Sequence, residues 1–264
     1  MSQHAVYQQL RSHLAYLQLT AAAEALPAEL ERAQSESLSH TAFLERLLGL
    51  EVNAVQARRL EHRMRFANFP APWRLEDFAF DAQPSVDRKL VEDLATLRFL
   101  QDATNVLLIG PPGVGKTMLA IILGRLVVEA GHRVHYTTAA TLTARCHRAA
   151  LEGRWATTMR FYAGHRLLII DELGYLPLPA EGAASLFQVI SQRYLKGSIC
   201  LTTNRNITEW GQIFDDPMNA AAMLDRLLHR SAVLHINGES YRMRAHRARV
   251  ESLRQAVGSG RSRP

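Results

Sequence analysis

Apolar residues recur at steps of three and four through the first quarter of the chain: Leu10, Leu14 and Leu17, then Leu26 and Leu30, then Phe43, Leu44, Leu47 and Leu48. Such steps keep side chains on one face of an α-helix, so the spacing predicts helices over residues 1 to about 68, with no strand among them. Pro27 is placed in the first turn of the second helix, where its missing N–H costs nothing. The third helix is expected from about Thr41 to Met64. Phe69-Pro70-Ala71-Pro72-Trp73 ends this pattern, because prolines two residues apart cannot continue a helix. The domain boundary is placed there, giving a small all-helical N-terminal domain over 1–68 and a second domain over 69–264.

Past the prolines, Leu75, Phe78 and Phe80 alternate with polar residues and are expected to pack on the edge of the second domain, and Ser85 is expected to cap a helix running to about Gln101. From Asn105 the pattern changes to short, continuous apolar runs separated by helical stretches. Strands are predicted at 105–109, 133–137, 167–170, 198–203 and 232–236, and helices at about 116–130, 141–152, 181–195 and 219–229, with Gly131 and Gly197 as helix stops. Strands apolar on both faces belong in a parallel sheet, so the second domain is expected to be α/β, five parallel strands covered by helices on both faces.

Composition changes this picture little. Apolar residues make up 47% and charged residues 21%, as in ordinary globular domains. No apolar run reaches the roughly 18 residues of a membrane span, and Met1-Ser2-Gln3-His4 lacks the layout of a signal peptide. With Cys146 and Cys200 as its two cysteines, the chain is expected to be cytoplasmic, with reduced thiols and no membrane partner. Charge adds more. From Arg242 to Pro264 there are seven arginines (242, 244, 247, 249, 254, 261 and 263) against Glu251 alone, which accounts for the whole net charge of +6. A basic end on a balanced body suggests a polyanion, most simply nucleic acid. Arg58, Arg59, Arg63 and Arg65, with His62, form a second basic group that fits either a phosphate backbone or a plain solvated face.

The candidate chemistry begins at Gly110-Pro111-Pro112-Gly113-Val114-Gly115-Lys116-Thr117, between the apolar run 106–109 and a helical stretch. The spacing is G-x-x-x-x-G-K-[ST]. Its glycines let the backbone fold into a nest of N–H groups at a helix N-terminus, which cradles phosphates. Lys116 would neutralise the β- and γ-phosphates of a bound triphosphate, and the Thr117 hydroxyl would ligate Mg²⁺. Leu167-Leu168-Ile169-Ile170-Asp171-Glu172 then sets two carboxylates at a strand tip, where open α/β sheets hold ligands. Asp171 would hold the Mg²⁺ through its water shell and Glu172 would orient and polarise an attacking water. A kinase activates its acceptor rather than water, so the pair favours hydrolysis over transfer. Asn204, after strand 198–203, is placed to sense the γ-phosphate or the attacking water. An arginine before the last strand, Arg226 or Arg230, is a candidate to reach a neighbouring subunit's phosphate.

The phosphate loop, Leu-Leu-Ile-Ile-Asp-Glu-Leu-Gly-Tyr-Leu-Pro (167–177), Leu-Phe-Gln-Val-Ile-Ser-Gln-Arg-Tyr (186–194), Thr-Thr-Asn (202–204), Leu-Leu-His-Arg (227–230) and Gly-Glu-Ser-Tyr-Arg (238–242) together resemble the IstB family. These are AAA+ transposition helper ATPases of insertion sequences, related to the helicase loader DnaC. The resemblance covers essentially the whole chain. It implies ATP as cofactor with Mg²⁺, self-association on double-stranded DNA and work with a transposase. It also implies that Arg226 matches the arginine-finger position and Arg242 the sensor-2 position. A helicase loader, a small-molecule kinase and a nucleotide-gated DNA-binding module with negligible turnover are the competing readings.

Overall fold

The computed structural model describes residues 2–175, 180–212, 217–241, 243 and 249. Its contacts divide the chain into two compact units, residues 1–62 and 63–264, the division falling inside a helix.

The first unit holds α1 (Gln3–Tyr16), α2 (Thr20–Ser35) and most of α3 (His40–Phe66). Its core is small: Leu14, Ala22, Leu26 and Leu47, with Tyr7, Leu30 and Phe43 against them. α2 starts a turn and a half earlier than the proline suggests, so Pro27 sits inside it. Leu19 at its N-cap offers no side-chain acceptor. The buried carboxylate of Glu51, from α3, takes that place, accepting from the Ala22 N–H at 3.1 Å and from Arg58 at 2.9 Å. Arg58 of the basic group is thereby committed inside the unit.

The second unit is built on five parallel strands: β1 (Asn105–Ile109), β2 (Val134–Thr138), β3 (Leu167–Leu173), β4 (Ser198–Thr203) and β5 (Ser231–His235), in the spatial order β2-β3-β4-β1-β5. The residues of β1 and β4 are buried throughout, as expected of strands covered on both faces. Helices α5 (Lys116–Glu129), α6 (Ala139–Leu151), α7 (Trp155–Ala163), α8 (Ala180–Arg193) and α9 (Pro217–Leu228) connect them. One core side, around Leu107, Leu168, Leu186, Ile190, Trp210 and Met223, lies between the sheet and α6, α8 and α9. Cys146 and Cys200 are buried, free thiols. Among the described residues no helix is long and apolar enough to cross a membrane.

Three local readings are corrected. The helix expected from Ser85 to Gln101 is only α4 (Arg88–Ala95), capped by Asp87, whose carboxylate accepts from the Leu90 N–H at 3.2 Å. The chain then turns at Leu97, in the left-handed region. Ser85 instead ties this segment to the second residue after β5, donating to the Asn237 carbonyl at 2.5 Å and accepting from its N–H at 3.0 Å. Secondly, α8 ends at Arg193 and the left-handed residue beyond it is Leu195, not Gly197. Gly197 makes room instead: a Cβ there would lie 2.7 Å from the Arg193 guanidinium. Thirdly, α7 lies in a stretch with no predicted element.

Candidate functional site

The order of the strands determines what meets. β4 lies between β1 and β3 and pairs with both, Thr203 opposite Ile109 on one side and, past an irregularity in β3, opposite Leu173 on the other. The Thr202-Thr203-Asn204 tip therefore falls between the phosphate loop after β1 and the carboxylates of β3.

The loop needs glycine where other chain comes closest. A Cβ at Gly110 would stand 2.0 Å from the Ile236 carbonyl oxygen. Gly113 has φ +83°, and a Cβ there would meet the Ser240 hydroxyl at 2.1 Å. The Gly113 carbonyl accepts from the Tyr241 N–H at 3.0 Å, and the Val114 carbonyl from Gln83 Nε2 at 3.0 Å. Lys116, the first residue of α5, curls back over the loop, its Nζ donating to the carbonyls of Gly110 and Pro111 at 2.7 Å each.

Asp171 is 1% exposed and accepts three hydroxyls: Thr117 at 3.1 Å and Thr202 at one oxygen, Tyr136 at 2.6 Å at the other. Burial, then the bond to Asp171, pushes the Tyr136 phenol well above its ordinary pKa, so it stays a donor. Glu172 is exposed and differs from Asp171 in backbone as well as setting. It adopts φ +62°, a conformation costing a non-glycine residue about 1 kcal/mol, and the strand register shifts around it. Its N–H is held by the Thr202 hydroxyl at 3.0 Å. One threonine thus holds the Asp171 carboxylate and the Glu172 backbone.

A cavity of about 920 Å³ opens over these residues. Gly113, Val114, Gly115, Lys116, Thr117, Asp171 and Glu172 line it. Pro70, Pro72, Trp73, Phe78 and Tyr241 add apolar and aromatic surface suited to a ring system, and Asp77 and Gln83 add polar groups. Leu75, Phe78 and Phe80 were expected only to pack on an edge; Phe78 is buried against the phosphate loop, near enough to Gly115 that a Cβ there would lie 2.8 Å from its ring. Sequence reasoning gave neither Tyr136 nor Trp73 a role at the site: Tyr136 is the middle residue of β2, and Trp73 lies 37 residues before the phosphate loop in the chain.

The other candidates are more scattered. Asn204 Oδ1 is buried without a hydrogen-bond partner among the described residues. Arg226 lies on α9, outside the cavity lining, its guanidinium 4.8 Å from the Phe187 ring centroid and donating to the Ala222 carbonyl at 3.0 Å. Arg230 donates to the Asp102 carbonyl at 3.3 Å. Arg242 lies outside the described residues.

A parallel sheet in this order, a glycine loop opening α5, and an Asp-Glu pair two strands away define a phosphate-loop nucleotide-binding protein. Matched against protein families, residues 12–249 fit the IstB-like ATP binding protein family, and the chain belongs to it. It is 41% identical over 235 residues to the ATP-binding protein assigned to insertion sequence IS5376 of Geobacillus stearothermophilus, covering 89% of this chain and 94% of that one. To the counterpart assigned to IS21 of Pseudomonas aeruginosa it is 44% identical over 218 residues, covering 83% and 82%. Among solved structures, AMPPCP-bound DnaA from Aquifex aeolicus matches with a TM-score of 0.53 at 18% identity, over 70% of this chain and 56% of that one. DnaI matches at 0.52 and 15% identity, over 62% and 90%. At these identities the structural likeness speaks for the fold alone.

The residues fit a nucleotide with a divalent cation. A Cβ would fill the cradle at Gly113, Lys116 is at hand for phosphate, and the Thr117 hydroxyl and Asp171 carboxylate are the hard oxygen donors that Mg²⁺ prefers.

Proposed function

We propose that this protein hydrolyses ATP at sites shared between subunits of an oligomer assembled on double-stranded DNA, and that it works with the transposase of its insertion sequence. The observation that carries the hydrolytic part is the division within the carboxylate pair. Asp171 is buried and tied by three hydroxyls, whereas Glu172 is exposed at the cavity with its backbone pinned in a left-handed turn.

In this reading the loop N–H groups and Lys116 bind the β- and γ-phosphates, Lys116 giving up its two loop carbonyls to do so. Thr117 and Asp171 hold Mg²⁺, which when bound supplies charge neutralisation at the phosphates. Glu172 orients the attacking water and takes its proton, and the Asn204 amide, with its free carbonyl oxygen, aligns that water. Arg226, from outside the pocket, serves the neighbouring subunit's γ-phosphate, and Arg242 contacts nucleotide from its own chain. Residues 1–68 contact DNA and neighbouring subunits; residues 69–264 are the ATPase, located in the cytoplasm. The insertion-sequence assignments of the relatives support the transposase as partner.

The test is steady-state ATP hydrolysis with and without duplex DNA, alongside equilibrium ATP binding. Lys116→Ala should lose binding. Glu172→Gln should keep binding and lose turnover by about 10²–10⁴-fold, the range for a general base. Normal hydrolysis by Glu172→Gln would remove Glu172 from the mechanism.

A further inference from the structure

The two oxygens of Asp171 are held from different directions. Oδ1 accepts from Thr117 on the phosphate loop and from Thr202 on β4. Oδ2 accepts from the Tyr136 phenol on β2 at 2.6 Å, the length of a charge-assisted O–H···O⁻ bond. The strands on both sides of β3 each send a hydroxyl to the same buried carboxylate. Tyr136 is itself 8% exposed and lines the cavity together with Asp171.

We propose that Tyr136 is a positioning residue that sets how tightly the nucleotide site holds its cation: its phenol donates to Asp171 Oδ2 and so competes for the carboxylate charge on which a cation would draw. This rests on the reading of the cavity as a nucleotide–Mg²⁺ site. A hydrogen bond to a carboxylate is strongest when the charge has no other partner. With the cation absent, the phenol compensates a charge buried in a low-dielectric setting. Once the cation draws on that charge, the same bond stabilises less. Tyr136 therefore favours the metal-free site over the metal-bound one. Loss of the hydroxyl raises the free energy of the metal-free state more and tightens cation binding. A tyrosine that merely packed against β3 would leave cation affinity unmoved.

The experiment is equilibrium binding of a fluorescent ATP analogue at rising Mg²⁺, in a Glu172→Gln parent so that turnover does not intrude. Tyr136→Phe keeps the ring and removes only the hydroxyl. Tyr136→Met removes the hydroxyl on a different side chain and guards against a local packing defect. Both variants should bind the analogue in EDTA within about twofold of the parent. Both should reach half-saturation at a Mg²⁺ concentration about 3- to 10-fold lower, part of the discrimination a hydrogen bond to a charged group provides. The near-ultraviolet tyrosine absorption of the parent should also shift when Mg²⁺ joins bound nucleotide, and that shift should shrink in Tyr136→Phe. A Mg²⁺ half-saturation equal to or above the parent's in both variants overturns the inference alone. A parent whose nucleotide binding ignores Mg²⁺ overturns the nucleotide reading, and this inference with it.

Discussion

Replacing Arg193 with methionine should destabilise the second unit without touching the nucleotide site. Arg193 closes α8, is 1% exposed, and turns both terminal guanidinium nitrogens to backbone carbonyls, while its Nε has no hydrogen-bond partner among the described residues. Nη1 donates to the carbonyls of Tyr162 at 2.6 Å and His165 at 2.9 Å, and Nη2 to that of Ser198 at 2.7 Å and, more weakly, Arg166 at 3.4 Å. One side chain thus joins the end of α7, the turn into β3 and the start of β4. Methionine fills similar volume but donates nothing, leaving three well-bonded carbonyls buried at about 1–3 kcal/mol each. Relief from burying a cation, which draws the Arg193 pKa down to about 10, offsets part of that. The net loss should be about 3 kcal/mol, and at 2–4 °C per kcal/mol for a unit of this size the melting midpoint should fall about 6–12 °C. Thermal unfolding followed by circular dichroism, without nucleotide, measures it. Lysine, a point charge without the planar fork, should recover less than half of the loss, and Gly197→Ala should destabilise through the same guanidinium. A midpoint for Arg193→Met within about 2 °C of the parent's would refute the accounting.

The remaining expectations concern pH, catalysis in trans and the basic end. His135, packed edge-on to Phe161 and beside His165 and Arg145, is held by burial at a pKa of about 4. The unfolded chain therefore takes up this proton first, and the contribution of His135 is intact above pH 6.5 and lost as pH falls through 4. Urea midpoints at pH 7 and pH 4 should show about 2 kcal/mol of acid sensitivity that His135→Phe removes; an equal pH slope in the variant counts against it. Arg226→Ala should bind ATP yet hydrolyse it poorly, the finger effect reaching about 10³–10⁵-fold in other phosphate-loop systems, and mixing it with Lys116→Ala should restore part of the activity. Near-normal hydrolysis by Arg226→Ala assembled on DNA would end the finger assignment. Deleting residues 250–264 removes Arg254, Arg261 and Arg263 and should flatten the salt dependence of duplex binding by at most about 3 units of slope; an unchanged slope would leave the tail a solubility device.

What the sequence made legible is what periodicity and spacing encode. β1 and the start of β3 stand out as continuous apolar runs, β2, β4 and β5 as shorter β-branched and apolar stretches between helical ones, and the phosphate loop and Asp171-Glu172 because their spacing is rigid. The misreadings occur where tertiary partners decide. α7 was hidden because Trp-Ala-Thr-Thr-Met-Arg-Phe-Tyr-Ala mixes polar and aromatic residues without a clean stripe, its aromatics being spent on His135 and Arg145. Ser85 looked like a helix cap because serine usually is one, whereas its partner is Asn237, a distant residue no local rule could supply. Arg193 reads as a surface charge at a helix end until the carbonyls around it are seen. Tyr136 reads as one more strand residue, since nothing local says that its hydroxyl meets Asp171.

The bond between the Tyr241 N–H and the Gly113 carbonyl makes the phosphate loop one arm of a lever. Gly113 belongs to the turn that must cradle phosphate, and Tyr241 immediately precedes the arginine-rich end of the chain. Rotation of the Gly113 peptide plane either breaks this bond or carries Tyr241 along. The fulcrum is close by, because the Ile236 N–H is fastened to the Ile109 carbonyl at 2.7 Å and β5 runs beside β1 over its whole length. A displacement beginning at phosphate would therefore pass through a single hydrogen bond to Tyr241, the residue before the first of those arginines in the chain.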